Sequence, residues 1–325
     1  MKQHFWAGVG ACFGMLALIL DGQTALDGAT EGLSLCFRTV IPSLFPFFVL
    51  SILLTSSLMG CKCTFLTRLG KLFHIPAGAE SLLIPAFLGG YPIGAKTVAQ
   101  IYQSGYIPKE DAQRLLAFCN NAGPAFLFGM MGSLFSARWM VWLLWTIHIF
   151  SAWIVSRFFP VNTPSVSLRK GKPITPEEAV SSSLRTMGQV CGWIILFRTL
   201  IAFLKRWVLW ILPEEIQVLV IGLLELANGC KELGTIANEP VRFLLGSCML
   251  SCGGLCVSMQ TVSVVQGLSV KNYFTGKLMQ TFFSVLFSAA LMYQLWWLFI
   301  PILPVLSIIQ RKKEKRYSIP QKAVV

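Results

Sequence analysis

Long apolar runs separated by short polar stretches dominate the hydrophobic pattern of this chain. The runs do not alternate strictly between apolar and polar residues, so they are typical of helices and not of half-buried strands. A bilayer can be crossed only by helices or closed barrels, because every backbone polar group needs an internal partner there. The predicted apolar segments are 5–20, 33–59, 80–104, 109–135, 139–159, 185–212, 216–234, 241–266 and 278–303.

Four of these segments are interrupted by glycine, proline or asparagine, at Gly89–Pro92, Asn120–Pro124, Asn228–Gly229 and Cys252–Gly254. Broken backbone at membrane depth is tolerated only where it is buried in protein or lines an aqueous cavity. Interrupted segments in corresponding positions of two halves point to the binding site of a transporter. The alternative is that each break is a packing kink, which membrane helices commonly contain.

The order of full, broken, broken and full segments occurs twice along the chain. We therefore predict an all-α integral membrane protein, a polytopic bundle with broken or re-entrant helices and an inverted internal repeat. If the Asn120–Pro124 break is a re-entrant tip, the basic stretches 61–74 and 161–176 lie on one face and the halves are inverted. The same count places the basic C-terminal tail on the opposite face, so the orientation of that tail stays open.

This pattern divides the chain into five parts. They are an N-terminal membrane helix with an acidic loop (1–32), a first repeat (33–159), a basic hydrophilic linker (160–178), a second repeat (179–304) and a basic C-terminal tail (305–325). At the end of the linker, Thr175 is followed by a proline and, three positions on, by Glu178. This spacing predicts a capped helix start.

Composition supports a membrane protein. The 325 residues are 55% hydrophobic and only 13% charged, and their mean hydropathy is +0.66, whereas soluble domains carry about 25% charged residues. The net charge of +13 comes from basic residues between the apolar runs, which indicates contact with the headgroups of a lipid bilayer and no nucleic-acid partner.

The ten cysteines lie mostly in apolar runs, which favours packing roles over disulfides. The chain contains no phosphate-binding loop, no cluster with metal-ligand spacing and no nucleophile elbow. We therefore expect no metal, no cofactor and no enzymatic activity. Homo-oligomerisation stays open.

The breaks supply the candidate substrate-binding residues. A helix that starts inside the membrane directs free N–H groups and a partial positive charge towards its centre, which suits an anion, and Lys96 adds a full charge about one turn after Pro92. The candidates in the first half are Gly89, Gly90, Tyr91, Pro92, Gly94, Lys96, Asn120, Asn121, Gly123 and Pro124. Those in the second half are Glu225, Asn228, Gly229, Ser251, Gly253, Gly254 and Gln260.

Several other polar residues have a simpler interpretation. Glu225 and Lys231 are predicted to pair with each other, although either could bind solute. Arg198, like Arg38 and Arg185, is expected to extend along the apolar surface to the headgroups. His148 is expected to be a hydrogen-bonded packing residue in an apolar helix.

Three motifs carry a family resemblance. They are Gly89-Gly90-Tyr91-Pro92-Ile93-Gly94-Ala95-Lys96, Gly105-Tyr106-Ile107-Pro108-Lys109-Glu110-Asp111-Ala112 and Leu115-Leu116-Ala117-Phe118-Cys119-Asn120-Asn121-Ala122-Gly123-Pro124-Ala125-Phe126. Together they resemble the YlbJ family of sporulation integral membrane proteins, which carries the nucleoside-recognition (Gate) domain. Asn121-Ala122-Gly123 departs from the serine-containing form of that hairpin, which leaves the preferred solute open.

The resemblance implies a membrane transporter or facilitator with a role in sporulation. It implies movement of dipicolinate, a small aromatic dianion, across the outer forespore membrane. A small anionic solute is therefore the expected partner. Two alternatives are a non-transporting membrane scaffold in spore envelope assembly and a nucleoside transporter.

Overall fold

Fourteen α-helices make up most of the part of the chain that the computed structural model describes, residues 2–58, 63–163, 165–166 and 174–299. Short 3-10 or π-helical turns lie at Cys36–Val40, Glu80–Leu82, Pro85–Gly89, Leu209–Ile211 and Trp296–Phe299. In chain order the helices are α1 Lys2–Leu20, α2 Gly22–Leu35, α3 Ile41–Leu58, α4 Thr64–Leu72, α5 Ile93–Gln103, α6 Lys109–Leu116, α7 Pro124–Met131, α8 Arg138–Phe158, α9 Pro176–Trp207, α10 Glu214–Leu224, α11 Leu226–Leu233, α12 Glu239–Cys252, α13 Gly254–Val264 and α14 Lys271–Met292.

Within the described residues, four helical stretches are long and apolar enough to cross a membrane. They are Gly22–Leu58, which runs through α2 and α3, then α8, then α9, and finally Glu239–Val264, which combines α12 and α13. A helix needs about 20 predominantly apolar residues for such a crossing. The all-α polytopic fold predicted from the sequence is therefore confirmed, and the chain is an integral membrane protein.

The stretch assigned to an acidic loop is instead the helix α2. The side chain of Asp21 caps its start by accepting from Thr24 N, and its glycines let it lie directly on α9. A Cβ added at Gly28 or Gly32 would stand 2.9 Å from atoms of α9. Close contact through small residues stabilises helix pairs in membranes, and this tertiary contact outweighs the polar composition. The predicted boundary at residue 32 thus falls inside a helix.

The start of α9 agrees with the prediction. Thr175 Oγ1 accepts from Glu178 N at 3.2 Å, and Glu178 Oε2 accepts from Thr175 N at 2.9 Å, which is a complete capping box. The basic cluster of the linker, Arg169, Lys170 and Lys172, lies outside the described residues, as does the C-terminal tail.

Two segments fold back on themselves and are called hairpins here. Hairpin 1 comprises residues 80–103, with its tip at Gly90–Pro92, and hairpin 2 comprises residues 214–233, with its tip at Glu225. In hairpin 1, a Cβ added at Gly94 would lie 3.1 Å from the Cα of Ala86 on the opposite arm. In hairpin 2, a Cβ at Gly229 would lie 2.3 Å from the Cα of Gly222.

Each hairpin is followed by a broken helix, α6–α7 in the first half and α12–α13 in the second, and then by a full helix, α8 or α14. The supposition that Asn120–Pro124 is a re-entrant tip is wrong. The two helices that flank this break have different neighbours, since α6 packs on α5 and α14 whereas α7 packs on α3, α8 and α11. They are therefore not the two arms of one hairpin. The order of elements is the same in both halves. An inverted symmetry between them stays a prediction.

Candidate functional site

The tip of hairpin 1 touches the break between α6 and α7. Gly90 has φ +79°, and a Cβ there would lie 3.2 Å from the backbone N of Gly123. A Cβ at Gly123 would lie 2.7 Å from the carbonyl oxygen of Leu88, and one at Gly94 would lie 2.0 Å from the carbonyl oxygen of Cys119. Only glycine allows backbones to approach so closely. Gly89 stands beside Ser51, and Pro92 and Pro124 begin α5 and α7.

The second half repeats this contact. The break between α12 and α13 consists of Gly253 and Gly254, both with φ +77°. A Cβ at Gly254 would lie 2.9 Å from the carbonyl oxygen of Gly222, which is on hairpin 2. A Cβ at Gly253 would lie 3.3 Å from Tyr91 Oη, so the second break also meets the tip of hairpin 1.

Two buried asparagines connect the first break with its surroundings. Asn120 Oδ1 accepts from Ala95 N at 3.4 Å, and its Nδ2 donates to Thr261 Oγ1 on α13 at 2.9 Å. Asn121 Nδ2 donates to the carbonyl oxygens of Phe118 at 2.7 Å and Ala86 at 3.3 Å. The break is therefore held by side chains that both donate and accept, as expected from these amides.

A lysine that the sequence analysis did not single out lies at the centre of this cluster. Lys277 on α14 is 4% exposed. Its Nζ donates to Gln280 Oε1 at 2.9 Å, Tyr91 Oη at 3.2 Å and Asn121 Oδ1 at 3.5 Å, and it lies 5.0 Å from the centre of the Tyr91 ring. These acceptors are neutral, and no carboxylate among the described residues forms an ion pair with Lys277.

Tyr91 and His148 link this lysine cluster to the second half. Tyr91 Oη donates to the carbonyl oxygen of Leu250 on α12 at 3.0 Å. His148 Nε2 accepts from Ala122 N at 3.3 Å, so the neutral ring carries its proton on Nδ1, 3.3 Å from Ser251 Oγ. Ser251 Oγ donates to Ser284 Oγ at 2.7 Å. The expected packing role of His148 therefore extends to joining the two breaks.

A small cavity lies between the tips of the two hairpins. Its volume of about 40 Å³ is room for about two or three water molecules. Five of the predicted site residues line it, namely Gly90, Tyr91, Gly123, Glu225 and Gln260, together with apolar side chains that include Val40, Leu44, Phe126, Val190 and Ile194. The cavity thus lies where the two halves meet.

Glu225 forms the tip of hairpin 2 and caps the start of α11. Its Oε1 accepts from Ala227 N at 3.0 Å, and its Oε2 accepts from Asn228 N at 2.6 Å and Asn228 Nδ2 at 2.7 Å. The predicted pairing of Glu225 with Lys231 is wrong, because Lys231 Nζ lies 3.1 Å from Glu31 Oε2. Lys231 lies six residues after the cap, at an exposed position of α11.

Arg198 is buried in an ion network and does not extend to the headgroups. It pairs with Glu31 on α2 and, at 3.1 Å, with Glu232 on α11. Lys205 Nζ approaches Glu232 at 2.7 Å. This network anchors hairpin 2 to α9 and α2, which explains why a charged residue is tolerated on an otherwise apolar helix.

Lys96 lies outside the cavity lining. Its Nζ donates to Ser182 Oγ on α9 at 3.3 Å. The N–H groups at the start of α5 are also less available than predicted, because Ile93 N donates to Gly90 O at 2.9 Å and Ala95 N donates to Asn120. The role of Lys96 in holding a solute stays a prediction.

The residues missed from the sequence share one property. Lys277, Gln280 and Ser284 fall at i, i+3 and i+7 and so form one polar face of α14. Lys277 lies just outside the predicted apolar segment, which begins at residue 278, whereas the helix begins at Lys271. Gln280 and Ser284 lie inside that segment, for which no break is predicted. A search for polar residues at helical spacing in the last helix of the repeat would have found them.

Comparison with known proteins agrees with the resemblance noted above. The chain is 26% identical over 320 residues to the sporulation integral membrane protein YlbJ of Bacillus subtilis (strain 168), covering 83% of this chain and 78% of that protein. The match supports a YlbJ-type assignment. No family model matches the chain, and no solved structure does. The coverage means that the YlbJ likeness extends beyond the motifs of the first half into the second.

Proposed function

We propose that this YlbJ-type protein moves a small, polar, anionic solute across a membrane through the cavity between its hairpin tips. Lys277 is the observation that carries the proposal. A buried ammonium group with only neutral acceptors leaves a positive charge that is not cancelled locally, and such a charge inside a membrane protein is expensive. An anion that reaches this cluster would offset that cost.

The position of Lys277 favours a solute site over a purely structural role. Its partner Tyr91 lines the cavity, and its partner Asn121 belongs to the first break. Two elements that could move, the hairpin tip and the break, therefore meet at one charged group. Charge-assisted hydrogen bonds to an anion are roughly twice as strong as those to neutral acceptors, so an anion competes well for the ammonium.

A transport cycle then requires the hairpin tips to separate. A cavity of about 40 Å³ accommodates water but not an aromatic dicarboxylate. We propose that this conformation is a closed one and that hairpin 1, of which no described residue forms an ion pair, moves to admit the solute. Relative movement of repeats around a central site is the general scheme for such transporters.

Dipicolinate is the solute that we propose, on the basis of the YlbJ-type resemblance. The role would be in sporulation, and the location would be the outer forespore membrane. The name of the Bacillus subtilis relative refers to sporulation and an integral membrane location, and it supports this setting without specifying a solute.

The test is uptake by the purified, unmutated protein in liposomes, with dipicolinate compared against uridine. We expect dipicolinate to accumulate in the lumen faster than in protein-free liposomes and uridine to remain at the background rate. Equal uptake of both solutes would favour the nucleoside alternative. Uptake of neither would favour a scaffold, whose breaks would be packing kinks, and would contradict the proposal.

A further inference from the structure

Two neighbouring side chains at the tip of hairpin 2 differ in whether their oxygen atoms accept hydrogen bonds. Glu225 is 3% exposed and Asn228 is fully buried. The carboxylate of Glu225 accepts three hydrogen bonds, all from α11. The neighbouring amide oxygen, Asn228 Oδ1, has no donor among the described residues. A buried acceptor without a donor calls for a specific explanation.

The charge of Glu225 is not neutralised by direct contact. Within the described residues, no lysine or arginine forms an ion pair with it. Arg198 on α9 interacts with it at longer range but is already paired with Glu31 and Glu232. The other ionisable groups that interact with Glu225 are the thiols of Cys36, Cys230 and Cys256.

Glu225 nevertheless lines the cavity, together with Gly90, Gly123 and Gln260. An anionic solute that enters this space meets a carboxylate, and like charges in a poorly screened site repel strongly. A small, hard cation prefers oxygen ligands and would satisfy both the carboxylate and the unpartnered amide oxygen. The geometry therefore favours cation binding before or together with anion binding.

We infer that Glu225 and Asn228 form the site of a coupling cation, sodium or a proton, which neutralises hairpin 2 so that the solute can occupy the cavity. The coupling role rests on the proposed transport function, whereas the cation site itself does not. Sodium would be held by carboxylate and amide oxygens. A proton would bind Glu225 and convert one carboxylate oxygen into a donor.

The cation site is tested without any solute. The thermal stability of the purified protein is compared in sodium chloride and choline chloride at equal ionic strength, and then in choline chloride at lower and higher pH. A ligand that binds only the folded state raises Tm. We expect a rise of a few degrees in sodium if sodium is the cation, or on lowering the pH if it is a proton.

Three variants identify the residues. Glu225→Gln removes the charge, and we expect it to abolish the response of Tm to sodium or to pH. Asn228→Ala removes the unpartnered oxygen but leaves both backbone caps on Glu225, so it should weaken the response even if Glu225→Gln fails to fold. Glu215→Gln changes an exposed carboxylate on the same hairpin and should leave the response unchanged.

Solute uptake under an imposed gradient then tests the coupling. We expect an inward sodium or proton gradient to raise uptake severalfold in the unmutated protein and to have no effect in Glu225→Gln. If no solute is taken up but the Tm response depends on Glu225, the transport proposal fails and the cation site stands. If Tm is indifferent to both cations, or if Glu225→Gln and Asn228→Ala respond as strongly as the unmutated protein, the cation site is overturned.

Discussion

Hairpin 1 and hairpin 2 have the same place in their halves, yet they satisfy the N–H groups at their tips differently. In hairpin 1 the backbone N–H of Ala95, near the start of α5, donates to the amide oxygen of Asn120, which belongs to the break between α6 and α7. In hairpin 2 the start of α11 is capped by its own carboxylate, Glu225. The first solution depends on tertiary packing, and the second is local.

The charges around the two tips differ in the same way. The buried charge next to hairpin 1 is the ammonium of Lys277, which bonds to Tyr91. The buried charge of hairpin 2 is the carboxylate of Glu225. The cavity lies between these tips. A buried positive charge is therefore next to one hairpin tip, and a buried negative charge is at the other. Two halves with the same order of elements can therefore offer distinct positions to an anion and a cation.

The anchoring of the hairpins also differs. Hairpin 2 is tied to α9 and α2 by the ion pairs of Arg198, whereas hairpin 1 contacts the first break through glycine backbones. No described residue of hairpin 1 forms an ion pair, so we expect hairpin 1 to be the element that moves and hairpin 2 the element that stays.

The largest effect is expected where backbone meets backbone in hairpin 1. Gly94→Ala places a Cβ 2.0 Å from the carbonyl oxygen of Cys119, which cannot yield without moving the break, so we expect a loss of about 3 kcal/mol or more of stability. Gly222→Ala in hairpin 2 meets the flexible end of Met249 instead, so it should be milder. Thermal unfolding in detergent measures both.

Gly188 on α9 provides the matched control for these glycines. A Cβ there has nothing within 4 Å, and alanine is the better helix former. Gly188→Ala should therefore retain or slightly raise Tm. A Tm for Gly94→Ala equal to that of Gly188→Ala would show that the tip of hairpin 1 does not pack on the first break as described.

Arg198→Met should loosen hairpin 2 and leave hairpin 1 in place. Breaking a buried ion pair costs roughly 3–5 kcal/mol, and we expect about 3 because Glu31 is half-exposed. Hydrogen exchange should accelerate in α11 but not in α5. Arg185→Met, at an exposed position of the same helix, is the control. Equal acceleration in both hairpins would remove the proposed difference in anchoring.

Lys277→Met is expected to reduce dipicolinate uptake about tenfold or more, because one charge-assisted contact contributes roughly 1.5–3 kcal/mol. Methionine has a similar length and keeps the apolar packing. Lys271→Met, at the exposed start of α14, should transport normally. Undiminished uptake by a folded Lys277→Met protein would contradict a role for this ammonium in solute binding.

Lys96→Met is expected to have the smallest effect on uptake, a few-fold decrease. The hydrogen bond from Lys96 to Ser182 joins hairpin 1 to α9 outside the cavity, and a neutral acceptor contributes roughly 0.5–1.5 kcal/mol. Lys96→Arg tests the same contact, because arginine does not fit the same space. A loss as large as that of Lys277→Met would restore Lys96 to the solute site.

Much of this arrangement could be predicted from the sequence. The apolar runs predicted the membrane helices, and the clusters of glycine, proline and asparagine located three of the four breaks. The break predicted at Asn228–Gly229 is wrong, because both residues lie inside α11 and the chain is interrupted at Glu225 instead. Five candidate residues line the cavity, and Asn120, Asn121 and Ser251 belong to the buried network around it. These predictions succeeded because glycine φ angles, proline's missing N–H and the cost of buried amides act locally.

The predictions that failed depended on contacts distant in sequence. Glu31 and the rest of the acidic stretch became helical because α2 packs on α9, and Lys231 pairs with a residue 200 positions away. Which break is a re-entrant tip was also decided by neighbours, since a turn and a kink contain the same residue types.

The sequence by itself determined that this chain is a helical membrane protein and where three of its four predicted interruptions lie, because apolar length and backbone chemistry act position by position. Only the tertiary structure decided which interruptions meet and which buried charges flank the cavity. Lys96 and Lys277 illustrate the difference. Both are lysines in a mainly apolar stretch, and their separate environments arise from helix packing, which sets the distance of each ammonium from the two hairpin tips.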